Sequence, residues 1–149
     1  MFQRILIILE NEEVYPPALT YARQLARRMD AEAAILLLAE MAFRDRAALG
    51  SQRNALYELE ERAGQALTSL AGEFLRDGIT VSVALRPGDP LPELMKFLAE
   101  RPPFQVIIWG SSQELPAGGK RSHWLGRAAG ALECPVWAVG SRQTEDPGE

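Results

Sequence analysis

Gln-Val-Ile-Ile-Trp-Gly, at residues 105–110, is the stretch of sequence that decides the fold. Its apolar run from Val106 to Trp109 contains no polar residue, so a strand made from it needs cover on both faces, as in the middle of a parallel sheet. Gly110 ends the run, and Ser111 and Ser112 follow it. Small residues and free backbone N–H groups are therefore predicted at the carboxyl end of this strand, the edge at which open α/β sheets bind ligands.

Composition bounds the class of protein. The chain has 149 residues, of which 47% are hydrophobic and 24% charged, and this composition is typical of one globular domain. A formal charge of −4 gives no basic footprint for nucleic acid. Cys134 is the only cysteine, which excludes an intramolecular disulfide and a cysteine-based metal cluster. The apolar run Ile5–Leu9 is too short for a signal peptide or a membrane span, so we expect a cytoplasmic protein with no membrane partner.

Hydrophobic periodicity predicts strands and helices in strict alternation. Strands are predicted where apolar, β-branched runs are closed by turn residues, and helices where apolar positions recur every three or four residues. The predicted strands are Arg4–Glu10, Ala33–Ala39, Ile79–Leu85, Gln105–Gly110 and Pro135–Val139; the predicted helices are Ala18–Met29 opened by Pro16 and Pro17, Ser51–Arg76, a helix after Asp89 that ends before Pro102, and Trp124–Leu132.

This alternation predicts an α/β fold with a five-stranded parallel sheet, right-handed crossovers and helices on both faces. The usual doubly wound, Rossmann-like strand order would be 3-2-1-4-5. That order places the first and fourth strands side by side and brings Glu10 and Gly110 together. We expect residues 1–140 to form this single domain and residues 141–149 to form a polar, flexible tail.

Four pieces of the sequence, in this order and spacing, resemble the universal stress protein family nearly end to end. The first strand followed by Glu10 looks like the family's opening strand and its aspartate. The turn in residues 86–90, Arg-Pro-Gly-Asp-Pro, is similar to the family's Gly-x-Pro turn. Residues 106–111 resemble the strand that opens the family's glycine motif, and residues 134–139 resemble its closing strand.

The glycine motif separates family members that bind ATP from those that do not. Binders carry Gly, two residues, Gly, nine residues, then Gly-Ser or Gly-Thr, because glycines let backbone amides approach phosphates and the hydroxyl adds a donor. Gly110 matches the first glycine, but Gln113 stands at the second. For the third, Gly126 comes too late, and counting back from Pro135 points to residues 122 and 123. Neither placement restores Gly-Ser or Gly-Thr.

The resemblance implies that any nucleotide would lie across Glu10, Ala39 and Gly110, with Ser111 and Gly126 as further candidate contacts. ATP with magnesium is the candidate cofactor, and the altered motif predicts that its binding is weakened or lost. The glutamate in place of the family's aspartate adds a methylene to the carboxylate that would meet the adenine.

Three functions follow from the resemblance. The preferred one is a non-catalytic stress-response or signalling module that acts as a homodimer and through a protein partner. The alternatives are an ATP-binding universal stress protein with slow nucleotide hydrolysis and a ligand-sensing regulatory domain of a transporter. The resemblance also implies dimerisation through the last strand, at Val136, Trp137 and Val139, where an exposed sheet edge would be covered by a second copy.

Two further features have both a chemical and a structural interpretation. The loop Gly118–His123 places glycines, two cations and a serine before a helix, so it is either a phosphate-binding loop or a solvated connection. His123 is the only histidine, which excludes a site with several histidine ligands, and a packing role is favoured over a general base. Cys134 precedes a buried strand and is predicted to be a small core residue.

Overall fold

The structure is a computed structural model that describes residues 3–41, 49–116 and 123–139. Strands and helices alternate along the described chain. The strands are β1 (Gln3–Glu10), β2 (Ala31–Glu40), β3 (Val81–Gly88), β4 (Val106–Trp109) and β5 (Val136–Ala138); the helices are α1 (Pro16–Met29), α2 (Leu49–Arg76), α3 (Pro90–Ala99) and α4 (Trp124–Ala129). The predicted tail, residues 141–149, and residues 118–122 of the predicted glycine-containing loop lie outside the described residues.

The five strands form one sheet in the order β3-β2-β1-β4-β5, and each neighbouring pair is parallel. The predicted fold class and strand order are therefore confirmed. β1 and β4 pair from Ile5 with Val106 to Ile8 with Trp109. Both strands are apolar on both faces because the central strands of a parallel sheet are buried on both sides.

Two hydrophobic layers cover the faces of the sheet. Alternate residues of β1 point to opposite sides: Ile7 belongs to the layer that includes residues of α1 and α2, and Ile8 to the layer that includes residues of α3 and α4. This division follows from the period of two along a strand. All of the described core residues of β1, from Ile5 to Leu9, have no exposed surface.

Helix and strand ends differ from the sequence prediction in places where a turn or a cap was expected. β3 continues through Pro87 and Gly88, which pair with Ala39 and Glu40 of β2, although these residues were expected to form a turn. A proline is tolerated there because β3 is an edge strand with one partner. Asp89 directly precedes α3 as predicted; an aspartate at this position was expected to cap the helix, but its side chain makes no capping hydrogen bond.

Gly110 is required by the close approach of its backbone to β1. Its N–H donates to the Ile8 carbonyl at 2.8 Å. A Cβ built at Gly110 would lie 2.8 Å from Leu9 Cδ2 and 2.9 Å from Ile7 Cγ2. Both of those side chains are fully buried and have little room to move. Packing therefore explains this glycine without any ligand.

Gly110→Ala is expected to destabilise the protein by about 1–3 kcal/mol, the usual cost of overpacking a close-packed core. The matched control is Gly126→Ala, since a Cβ at Gly126 would meet nothing within 4 Å. The control should be neutral or stabilising by up to about 1 kcal/mol, because alanine favours helix over glycine. Urea denaturation of both variants measures the difference, and equal stability of the two would contradict the packing account.

Candidate functional site

The carboxyl ends of β1 and β4 meet at one edge of the sheet, and we call the space over them the β1–β4 crevice. Gly110 follows β4, and its carbonyl accepts a hydrogen bond from the Tyr15 N–H, just before α1, at 2.8 Å. The loop between β1 and α1 is thereby held against the end of β4. The predicted neighbours Glu10 and Gly110 therefore lie at the same edge, as expected from the strand order.

Ser111 uses its hydroxyl to join the two strand ends. Its Oγ accepts the Glu10 N–H at 2.7 Å and donates to the Glu13 carbonyl at 2.6 Å. The residue is only 8% exposed. This hydroxyl already has both an acceptor and a donor partner within the protein, so Ser111 has a structural role as well as its predicted place at the crevice.

The Glu10 carboxylate is bound by two aromatic side chains from the start of α4. Glu10 Oε2 accepts a hydrogen bond from Trp124 Nε1 at 2.8 Å and lies 2.8 Å from His123 Nε2. The Glu10 side chain is 18% exposed. We refer to Glu10, His123 and Trp124 as the Glu10 cluster. An ionised carboxylate is an acceptor only, and these N–H groups supply the donors that it needs when water is largely removed.

His123 has a single tautomer that satisfies both of its hydrogen bonds when the ring is neutral. Its Nδ1 accepts the Leu125 backbone N–H at 3.0 Å, which makes His123 the N-cap of α4. A nitrogen that accepts cannot carry the proton, so the proton of the neutral ring lies on Nε2 and is donated to Glu10. The same side chain thus starts α4 and binds the carboxylate.

Three aromatic rings pack together beside the Glu10 carboxylate in edge-on and tilted arrangements. The His123 and Trp124 ring centroids are 5.0 Å apart, and Trp109, at the end of β4, lies 6.0 Å from Trp124 and 5.7 Å from His123. Trp109 and Trp124 are 1% and 7% exposed. Trp109 Nε1 also donates to Ser112 Oγ at 2.9 Å. Every polar ring atom of the two tryptophans therefore has a partner, as buried indoles require.

Two other residues predicted to contact a nucleotide, Ala39 and Gly126, are not members of the Glu10 cluster. Ala39 is buried near the end of β2, in register with Pro87 of β3. Gly126 is exposed in the first turn of α4.

Asn11 was not predicted from the sequence to be part of this edge. It has a left-handed φ of 56°. Its side chain connects β1 to β2, because the amide oxygen accepts the Glu40 N–H at 3.0 Å.

Counted forward from Gly110, the glycine motif suggested by the sequence resemblance ends at the aromatic residues of the Glu10 cluster. Its spacing puts Gln113 at the second glycine, His123 at the third and Trp124 at the hydroxyl residue. The forward count falls one residue later than the count back from Pro135. The residues at the last two motif positions are therefore the ones whose side chains bind Glu10.

The acidic turn after β1 offers no metal site. Both carboxylate oxygens of Glu12 accept hydrogen bonds from Arg62, at 3.0 and 2.8 Å. The hydrogen bond from this guanidinium holds the pKa of Glu12 below its usual value. Across residues 3–41, 49–116 and 123–139, no three histidine, cysteine or acidic side chains lie together in a way that could hold a metal ion.

None of the helices in the described chain combines the length and apolar character that a membrane crossing needs.

Trp124→Phe is expected to lower the free energy of unfolding by about 1–2 kcal/mol, because the ring remains while the charged acceptor loses one N–H donor. Tyr57→Phe is the control, since it also removes one polar hydrogen from an aromatic side chain and Tyr57 is 66% exposed. It should change stability by less than about 0.5 kcal/mol. Urea denaturation followed by circular dichroism measures both variants. A Trp124→Phe protein as stable as the control would show that the indole N–H does not support Glu10.

Solved structures of low sequence identity share the fold. Universal stress protein UspA from Lactobacillus plantarum is 15% identical, with a TM-score of 0.75 over 93% of this chain and 97% of that one. A universal stress protein family member from Burkholderia pseudomallei is 18% identical, with a TM-score of 0.67 over 94% of this chain and 97% of that one. An Arabidopsis thaliana family protein with AMP bound is 16% identical, with a TM-score of 0.54 over 97% of both chains.

Comparison of sequences finds no match, whereas comparison of structures does. No protein-family model matches the chain, and no curated protein matches it. The strand order and the end-to-end coverage of the solved structures nevertheless agree with the resemblance seen in the sequence. The chain has the fold of the universal stress proteins.

Proposed function

We propose that this chain is a universal-stress-protein-like module without catalytic activity, which acts through protein contacts and in which family-type ATP binding is weakened or lost. The observation that carries the proposal is the Glu10 cluster. The carboxylate at the position of the family's adenine-binding aspartate is already bound by side chains at the last two positions of the glycine motif.

Admitting an adenine to Glu10 would require Trp124 to leave. The indole would give up its hydrogen bond to the carboxylate and expose a ring that is only 7% accessible. Exposing a large aromatic side chain costs roughly 2–3 kcal/mol at 25 cal/mol per Å². This cost would make the free energy of nucleotide binding less favourable by the same amount. A nucleotide that has to open the Glu10 cluster therefore binds weakly.

The residues at the motif positions disfavour phosphate binding for a separate reason. A phosphate loop depends on glycines because its N–H groups must come close to the oxygens without side chains in the way. Gln113 and His123 stand at two of the glycine positions, and the His123 ring points to Glu10. The Leu125 N–H, at the start of α4, is already donated to His123.

ATP binding with slow hydrolysis is the second candidate, and one observation favours it. The Arabidopsis thaliana structure of the same fold has AMP bound. That nucleotide belongs to that protein, and a fold supports many different sites. The direct measurement is titration with nucleotide.

The homodimer forms part of the proposal, and β5 supports it. β5 is a short strand at the edge of the sheet, paired only with β4 among the described strands. Trp137 is 39% exposed on this strand, and Val136 is half-buried beside it. Val139 follows β5 and is 6% exposed, so its side chain belongs to the core and its contribution to an interface would come from the backbone. A second copy would cover the edge and the aromatic ring.

Isothermal titration with magnesium-ATP is expected to give a Kd above about 1 mM, equivalent to binding weaker than about −4 kcal/mol. The variant that combines Gln113→Gly, His123→Gly and Trp124→Ser restores the motif and removes the aromatic residues from Glu10. If it remains folded by circular dichroism, it should bind at least about tenfold more tightly. Micromolar binding by the unmodified protein would overturn the loss of ATP binding.

Trp137→Asp is expected to convert the dimer into a monomer, because a charge at the covered edge would be buried without a partner. Val83→Asp is the matched control: Val83 is 42% exposed on β3, at the opposite edge of the sheet. Sedimentation velocity at about 10 μM measures both variants and the unmodified chain. A monomeric unmodified protein, or a dimer that Val83→Asp alone disrupts, would contradict an interface at β5.

A further inference from the structure

A second cavity lies at the edge of the sheet opposite the β1–β4 crevice. It has a volume of about 390 Å³ and opens between the end of α3, the segment Arg101–Phe104 and the loop Ala131–Cys134. The last two segments precede β4 and β5. Because all five strands are parallel, the cavity is at their amino-terminal edge and Glu10 is at their carboxyl-terminal edge.

The walls of this cavity are mainly apolar and held in place. Met95 and Leu98 line it from α3, and Leu132 from the loop before β5. Leu98 and Leu132 also pack against the second core layer, as does the 8% exposed Phe104. Pro102 and Pro103 form part of the wall without offering an N–H donor. The volume falls in the range of about 300–1,000 Å³ that is usual for pockets binding small molecules.

Arg101 places a cation with unused donors in this apolar wall. Its guanidinium lies 3.8 Å from the centroid of the Phe97 ring, a stacking contact that restricts it. Arg101 forms a long ion pair with Glu100, at 3.7 Å, and the same Glu100 oxygen accepts a shorter hydrogen bond of 2.7 Å from Arg86. Within the described residues the Arg101 guanidinium donates no hydrogen bond, and Arg101 also borders a smaller cavity that includes Glu32.

We propose that this cavity binds a small amphipathic carboxylate. The apolar chain or ring of the ligand lies against Met95, Leu98 and Leu132, and its carboxylate accepts hydrogen bonds from Arg101. A guanidinium is suited to this role because its planar fork matches the two oxygens of a carboxylate. The site is independent of the proposed function, since it shares no residue with the Glu10 cluster.

Glu133 determines how such a ligand is oriented. This exposed carboxylate belongs to the loop that faces the α3 wall, and it repels a second negative charge. A carboxylate ligand therefore has its charged end at Arg101 and its apolar end toward Leu132. An amine of the same length is repelled by Arg101 and can pair only with the exposed Glu133, where solvent weakens the attraction, and a neutral alcohol pairs with neither.

Cys134 lines the wall of the cavity and is the only cysteine in the chain. The rate at which the protein thiol is alkylated therefore reports whether a ligand occupies this cavity. Burial, followed by the neighbouring charge of Glu133, raises the pKa of this thiol. The thiolate fraction at neutral pH is therefore below that of an ordinary thiol, and alkylation should become faster as pH rises toward about 9.

Octanoate is the probe, and iodoacetamide labelling of the full chain at about pH 8.5 is the measurement. Saturating octanoate should slow labelling of Cys134 at least about fivefold, with octan-1-ol and octylamine weaker by about tenfold in the concentration required. Labelling that octanoate does not slow would overturn the site. Equal protection by octan-1-ol or by octylamine would overturn the carboxylate as the recognised group.

Variants locate the two halves of the site. Arg101→Gln should weaken octanoate about tenfold in isothermal titration and leave octan-1-ol unchanged. Lys96→Gln, which removes the same charge from an exposed position on α3, should leave octanoate unchanged. Leu98→Trp should fill the cavity and abolish the binding of both compounds, with circular dichroism reporting the fold. Equal losses for Arg101→Gln and Lys96→Gln would show that net charge alone is responsible and would overturn the role of Arg101.

Discussion

The parallel pairing of β1 with β4 is the constraint on which the rest of the structure depends. The middle of β1, Ile5–Leu9, and all of β4 are buried on both faces, so these residues are apolar. Gly110 directly follows β4 and lies so close to β1 that a Cβ there would clash with Leu9 and Ile7. This pairing brings Glu10 to the sheet edge with little access to water. A carboxylate in that position needs donors from the protein, and His123 and Trp124 provide them.

The donors that satisfy Glu10 come from the segment that the sequence resemblance aligns with the glycine motif of ATP-binding universal stress proteins. Backbone N–H groups between glycines can approach a ligand, whereas aromatic side chains at the same positions turn inward and occupy the space. His123 has two roles, because one ring nitrogen caps the start of α4 and the other faces the Glu10 carboxylate. The local start of a helix and part of the filling of the crevice therefore depend on the same side chain. The cavity at Arg101 lies at the other edge of the sheet and shares no residue with the Glu10 cluster.

Much of the fold was predictable because its signals are local. The uninterrupted apolar residues in β1 and β4, together with the alternation of strands and helices, are sufficient to predict a parallel sheet. Its strand order was predicted from the usual order of doubly wound sheets. The extension of β3 through Pro87 was not predicted, since whether a proline ends a strand depends on its place at the sheet edge. The Glu10 cluster was also missed, because its members are 113 and 114 residues apart in the sequence. The available signal was the spacing of the glycine motif, counted forward from Gly110.

The tautomer and solvent access of the Glu10 cluster test the central claim most directly, and nuclear magnetic resonance measures both. We expect the neutral His123 ring to carry its proton on Nε2, and the Trp124 indole N–H to exchange with water much more slowly than the indole N–H groups of the urea-unfolded protein. A mixture of His123 tautomers, with indole exchange at Trp124 as fast as in the unfolded protein, would show that the crevice is open and that Glu10 is free to receive a ligand.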